Sequence, residues 1–335
     1  MKKKLFIVIP GIILIMILIQ ALLRPFNISG NISDLASQKI SLDDNSLQST
    51  QPILTGTIRW DAWIGDEHSI GRAVSRHITP EKWNNRMPFF TEIHNQDSIT
   101  TNGLLQEIMD REIEYASGAL DYWAFLYYSG VLGGARELYL SSSIKDRINF
   151  CLIIEGTRMI GEWDNFYQDL SRCLDDPGYQ TVLDNRPLLY LFRPVNAIEN
   201  KSASWEQVAE KVETIQKLAT GKGYNEPYLV IMDYSLARID SAMAHLNADA
   251  VSDYAVFSGK PGESYRELTE IATNMWEDYS SAGYNVVPFL TAGWDPRPRW
   301  DRRDIPWGYH DYGPNWSEKG TPEEIANHFK EAFNW

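Results

Sequence analysis

Phe150-Cys151-Leu152-Ile153-Ile154 is an unbroken apolar run, closed by Glu155 and Gly156. A run of this length with no polar alternation is how a strand buried on both faces of a parallel sheet is written. Similar runs recur on either side. The strand segments are 53–60, 122–128, 149–155, 187–193, 227–233, 250–257 and 285–291. Helical spacing fills the gaps between them. Leu105, Ile108, Met109, Ile113 and Ala116 share one face; Trp205, Val208, Val212, Ile215 and Leu218 share another. Ser204 and Gln207 form a capping box at the start of the second helix. Leu268, Ile271, Ala272, Met275 and Tyr279 mark a third helix, stopped by Gly283. A last helix starts at Thr321, with Pro322 at its first position and Glu324 completing the box.

Repeated β-α units predict an α/β fold with a parallel sheet. An open, doubly wound nucleotide binder needs a glycine fingerprint after its first strand. Here Arg59-Trp60-Asp61-Ala62-Trp63 follows, which is bulky, and Gly221-Lys222-Gly223 precedes a strand instead of following one. The expectation is therefore a (β/α)8 barrel. Seven βα units are visible and the eighth strand is missing. Either the chain is truncated before it, or a strand lies hidden in the 64–100 insertion.

Outward from the barrel, Lys2, Lys3 and Lys4 precede an apolar run over 5–23 with no charge. About 20 such residues span a bilayer as a helix. The run is long for a signal peptide and has a poor cleavage site. The expectation is a single transmembrane signal anchor, with a cleaved signal peptide and a buried core helix as alternatives. The lysines would stay in the cytoplasm and the rest would be extracytoplasmic. Residues 24–52, rich in Ser, Asn, Gln and Asp, form a flexible stalk, and 53–335 form the barrel domain.

The chain of 335 residues carries a net charge of −14, with 44% hydrophobic residues and 12 tryptophans. That composition excludes a disordered chain and a multi-span membrane protein. It also argues against nucleic acid as a partner, since phosphate contacts need a basic face. Two cysteines, Cys151 and Cys173, make no disulfide scaffold, although one bridge stays open. The six histidines show no metal-ligand spacing, so neither a metal nor another cofactor is expected.

Active sites of barrels lie at the carboxyl ends of the strands. Those ends carry Trp60, Asp61 and Trp63; Tyr127 and Tyr128; Glu155; Arg193; Asp233 and Tyr234; and Trp294, Asp295, Arg297 and Arg299, with Trp307, Tyr309 and His310 beyond. Aromatic faces stack on sugar C–H faces, and charged side chains take hydroxyl hydrogen bonds. Glycoside hydrolysis needs two carboxylates. Glu155, Asp233 and Asp295 are the catalytic candidates. Trp60, Asp61, Trp63, Tyr128, Arg193, Tyr234, Trp294, Arg297, Arg299 and His310 are the substrate-binding candidates. The alternative for Arg297 and Arg299 is pairing with nearby carboxylates to hold the loop.

Five stretches carry a family resemblance: Trp60-Asp61-Ala62-Trp63, PEKWNNRMPFF at 80–90, MDREIE at 109–114, LDYWAFLYY at 120–128 and PFLTAGWDPRPR at 288–299. Together they resemble the glycoside hydrolase family 99-like domain, which includes WbsX-like proteins of bacterial polysaccharide clusters and endo-α-mannosidases. The resemblance implies a (β/α)8 barrel acting on a polysaccharide or oligosaccharide. It also implies two catalytic glutamates in an N-E-W-x-E-G motif after the last strand, working through the substrate's 2-hydroxyl with retention. This sequence has no such motif. Its E-x-x-E pairs, Glu210/Glu213 and Glu267/Glu270, lie on helices. The expected function is a glycoside hydrolase. The alternatives are a non-catalytic glycan-binding surface protein and a glycosyltransferase of polysaccharide biosynthesis.

Overall fold

The computed structural model describes residues 6–9, 53–96, 98–302, 305 and 314–335. Its strands in chain order are β1 (Phe6–Ile9), β2 (Leu54–Arg59), β3 (Thr91–Asn95), β4 (Ser98–Thr101), β5 (Tyr122–Leu126), β6 (Asn149–Glu155), β7 (Thr181–Val182), β8 (Arg186–Phe192), β9 (Tyr228–Met232), β10 (Ala250–Ser252), β11 (Pro261–Glu263) and β12 (Trp316–Ser317). The main sheet runs β1-β2-β5-β6-β8-β9-β10, every neighbour parallel. From β2 to β10 the sheet curls as a half-barrel. Spatial order equals chain order there, as successive βα units require.

The apolar runs explain why these segments pair. Phe150, Cys151, Leu152, Ile153 and Ile154 are all fully buried. Tyr122 and Tyr190 meet through their hydroxyls at 2.9 Å inside the sheet. Gly56 makes room for them, because a Cβ there would lie 2.1 Å from the Tyr122 ring. The capping boxes at Ser204/Gln207 and Thr321/Glu324 form as the sequence predicts, and a third forms at Ser264/Glu267. Cys151 and Cys173 are both buried free thiols, so the open question of a bridge resolves against one. Burial pushes the Cys173 thiol up to about 12.

Three expectations need correction. The 250–257 strand stops at Ser252, because Asp253 turns its carboxyl back onto the backbone N–H of Tyr254 at 2.6 Å. The 285–291 segment does continue the sheet, but through one parallel bridge, Val251 to Val286. The insertion at 64–100 does hold strands, yet β3 and β4 pair only with each other, antiparallel and apart from the main sheet. They supply no eighth barrel strand.

The transmembrane expectation falls mostly on residues outside the described ones. Of the apolar run, only Phe6–Ile9 is described, and it is a strand pairing with β2 in the register Phe6 to Leu54. A buried parallel strand and a membrane helix are both written as continuous apolar sequence, and Ile7, Val8 and Ile9 are β-branched. No helix among the described residues is long and apolar enough to cross a membrane. The stalk, 24–52, lies outside the described residues.

The last helix, Pro322–Asn334, is fastened to helix Tyr265–Ser281 by His328, which stacks on Trp276 with the rings 5.4 Å apart and 9° from parallel. Burial lowers the His328 pKa to about 4, and its Nε2 has no hydrogen-bond partner. Its folded pKa lies below the ordinary value of 6.5, so the stability it supports is complete above pH 6.5. That stability is lost as pH falls toward 4. The shift corresponds to an effect on the order of 3 kcal/mol. His328→Phe keeps the stack and removes the titration. Urea midpoints at pH 7 and pH 4.5 should fall less in the variant than in the parent, and an equal fall would exclude His328 as the cause.

Candidate functional site

Each parallel strand delivers its last residues to one edge of the sheet. At the end of β2, Arg59 is fully buried and bonds Asp61 at 2.7 Å and Glu112 at 2.6 Å. Its guanidinium also lies 4.4 Å from the Trp123 ring centre. Burial raises the Glu112 carboxyl above its ordinary range, against the pull of Arg59. Asp61 is therefore part of an internal ion triad with Arg59 and Glu112. Trp63 packs on a small separate core of Ile78, Trp83, Met87 and Ile99.

The ends of β5 and β6 build a half-open polar cluster. Arg158 lies over the Tyr128 ring at 3.9 Å, and Trp60 is 6.4 Å from the same ring. Arg158 reaches Glu155 at 3.8 Å and bonds Glu162, whose other oxygen accepts from Ser129 Oγ at 2.6 Å. Burial raises the Tyr128 hydroxyl pKa, partly offset by Arg158. The Glu155 side chain keeps 26% of its surface in solvent. Asp233 and Asp295 keep 1% and 2%. Of the three catalytic candidates, Glu155 has the most exposed side chain.

The ends of β8, β9 and β10 and the 285–291 segment carry a continuous aromatic band. Phe192 stacks on Tyr254 at 4.5 Å and meets Tyr234 edge-on at 5.7 Å. Tyr234 meets Phe257 at 4.8 Å, and Phe257 meets Trp294 at 4.7 Å. Arg193 sits at the margin of this band, 5.7 Å from the centre of the Tyr234 ring. Beneath it, Asp233 accepts from its neighbour Tyr234 N–H and from Arg238 Nε, at 2.9 and 2.8 Å. Its second oxygen is buried with no partner. Asp253 occupies the matching place one strand over, in register with Asp233 through the Ser252–Met232 pair. Burial drives its carboxyl well above the ordinary range, and Asp233 adds to the effect.

Asp253 is a residue the sequence reading missed, with Tyr254, Phe257, Arg158 and Glu162. A signal existed: Met232-Asp233-Tyr234 and Ser252-Asp253-Tyr254 repeat an Asp-Tyr pair after an apolar strand. Asp295 and Arg297, in contrast, form a clamp. Asp295 takes Arg297 Nε and Nη2 at 2.8 Å each and also bonds Arg86. Arg297 in turn lies 3.4 Å over Trp316. Both residues hold the loop. Arg299 lies on the short helix Arg297–Asp301. His310 is outside the described residues. Among the described residues, no three His, Cys, Asp or Glu side chains converge as metal ligands.

An α/β half-barrel with an aromatic and charged carboxyl edge is thus the class of protein the fold defines. No protein-family model matches the sequence, and no curated protein matches it either. Among the solved structures similar to the chain are two of one enzyme. One is the GH99 endo-alpha-mannosidase from Bacteroides thetaiotaomicron, at 13% identity and TM-score 0.44 over 70% of this chain and 65% of that one. The other is the same enzyme in complex with bis-tris-propane, at 13% identity and TM-score 0.43, over 70% and 69%. The chain spans about two thirds of the length of these structures.

Proposed function

We propose that this protein binds a polysaccharide or oligosaccharide across the carboxyl edge of its sheet and acts on it as a glycoside hydrolase. The observation that carries the reading is the aromatic band from Phe192 to Trp294, set beside the accessible carboxylate of Glu155. Sugars present alternating C–H faces and hydroxyl rims. A row of ring faces with charged groups at its margin matches both. Glu155 is the acid or base within reach of a glycosidic oxygen, and hydrolysis needs a second carboxylate to act with it. Asp233 is tied to Arg238 and Asp295 to Arg86 and Arg297, which favours a second reading, glycan binding without turnover.

The two readings separate in one experiment. The full-length chain is titrated calorimetrically with a panel of oligosaccharides that includes α-mannan fragments, and reducing-end release is followed in parallel. Trp294→Ala is expected to weaken binding about tenfold or more, since it removes a stacking face. Glu155→Gln is expected to keep binding and lower hydrolysis at least ~100-fold. Binding with no release by the parent chain would select the non-catalytic reading. No saturable binding to any glycan would overturn both.

A further inference from the structure

Arg193 is built in a way that neither the core nor the clamp explains. It directly follows β8, and its φ of +50° lies in the left-handed region. Such a backbone is strained for a non-glycine residue. Glycine would take the same position without that strain. The conformation is imposed from both sides. Arg193 N–H donates to Met232 O at 2.8 Å, and Asn196 N–H donates back to Arg193 O at 3.0 Å. Gly156 closes the third side, where a Cβ would fall 2.9 Å from Arg193 O and 2.6 Å from Pro194 Cα. A long cationic side chain is thereby held at a place where the backbone prefers none.

Among the described residues that side chain has no anionic partner. Other arginines at this edge do: Arg59 has Asp61 and Glu112, Arg158 has Glu155 and Glu162, Arg238 has Asp233 and Glu199, and Arg297 has Asp295. Arg193 makes no side-chain hydrogen bond or ion pair among the described residues, and its Nε is buried with nothing to accept from it. Its ring contacts, 5.9 Å to Phe192 and 5.7 Å to Tyr234, lie near the outer limit for cation–π attraction. Carboxylates outnumber basic groups 45 to 31 in this chain, so an unclaimed guanidinium beside the aromatic band is a departure from the rule.

We infer that Arg193 is an anion-recognition residue and that the glycan this protein takes carries an acidic group, which the guanidinium fork receives while a sugar ring lies on Tyr234. The inference rests on the carbohydrate reading above. A planar fork of donors suits a sugar carboxylate, and it also accepts sulfate or phosphate esters. The shared chemistry is an oxyanion with two acceptor oxygens.

The test uses the full-length chain and three sets of oligosaccharides: uronate-containing, sulfated and phosphorylated. Each is paired with its neutral counterpart, made by carboxyl reduction, desulfation or dephosphorylation. The parent chain should bind one acidic set at least ~10-fold more tightly than its neutral form. Arg193→Gln should lower binding of the acidic form at least ~10-fold more than binding of the neutral form, so that the two converge. Arg193→Lys should keep only part of the preference. Arg193→Gly relieves the backbone and should unfold no earlier than the parent while losing the preference, so a folding defect cannot imitate the result. Equal binding of acidic and neutral forms by the parent, or a preference that survives Arg193→Gln, would overturn the assignment and leave the carbohydrate reading standing. Failure of every glycan, acidic and neutral, would overturn both.

Discussion

Asp295→Ala is expected to destabilise the protein by about 3–5 kcal/mol, the range for removing one partner of a buried ion pair. An exposed pair would be worth about 1 kcal/mol or less, but the Asp295 side chain is 2% accessible and serves two arginines. Its loss leaves the guanidinium groups of Arg86 and Arg297 facing the same space with no counter-charge. Arg86 cannot withdraw easily, since its Nε is already buried without a partner and burial lowers its pKa. Arg297 is held 3.4 Å over Trp316 and 5.3 Å from Trp83. Urea unfolding followed by tryptophan fluorescence measures the loss. Asp295→Asn keeps the shape and should lose a smaller share. A catalytic Asp295 would behave differently, with Asp295→Asn removing turnover while the unfolding midpoint stays put.

The Asp295 clamp also shows what the sequence could and could not display. The β-α repetition was legible because burial on both faces of a parallel strand removes every polar residue, as in 149–155, which matches β6 residue for residue. Capping boxes were legible because their partners are three residues apart. Strand ends were less so: 250–257 stays apolar past Ser252, and only the carboxyl of Asp253 marks the turn. At the site, residue types were visible and their partners were not. Arg86 and Asp295 are separated by 209 positions, and Arg59 and Glu112 by 53. Nearer arginines also bond these carboxylates, Arg59 to Asp61, Arg238 to Asp233 and Arg297 to Asp295, but spacing alone does not say which neighbouring arginine bonds which carboxylate. Asp61, Asp233 and Asp295 were claimed; Glu155 and Arg193 stayed accessible to a ligand. The aromatic band has the same character. Phe192, Tyr234, Tyr254 and Trp294 come from four different strand ends, and only closure of the sheet brings their rings into one row.

The other large effect is expected at Arg59. Replacing it by methionine preserves much of the stem packing and deletes the charge. The lost contact with Trp123 accounts for about 0.5–2 kcal/mol. The larger part comes from Asp61 and Glu112, which are left as two buried carboxylates with no cation between them, a further ~3–5 kcal/mol at neutral pH. The pH dependence separates these contributions. Burial already raises the Glu112 pKa with Arg59 present, and removing the cation can only raise it more. A folded-state carboxyl pKa above the unfolded value means that the proton favours the folded chain. The penalty is therefore small in acid, grows as pH rises through the unfolded value, and is complete above the folded one. Arg59→Met should thus lie closest to the parent in urea midpoint near pH 4 and furthest from it at pH 7. Adding Asp61→Asn and Glu112→Gln should recover most of the loss at pH 7, because a neutral hydrogen-bonding group replaces each stranded charge. A deficit that is constant with pH, or that the two amide substitutions do not relieve, would place the effect in the Trp123 contact instead of the triad.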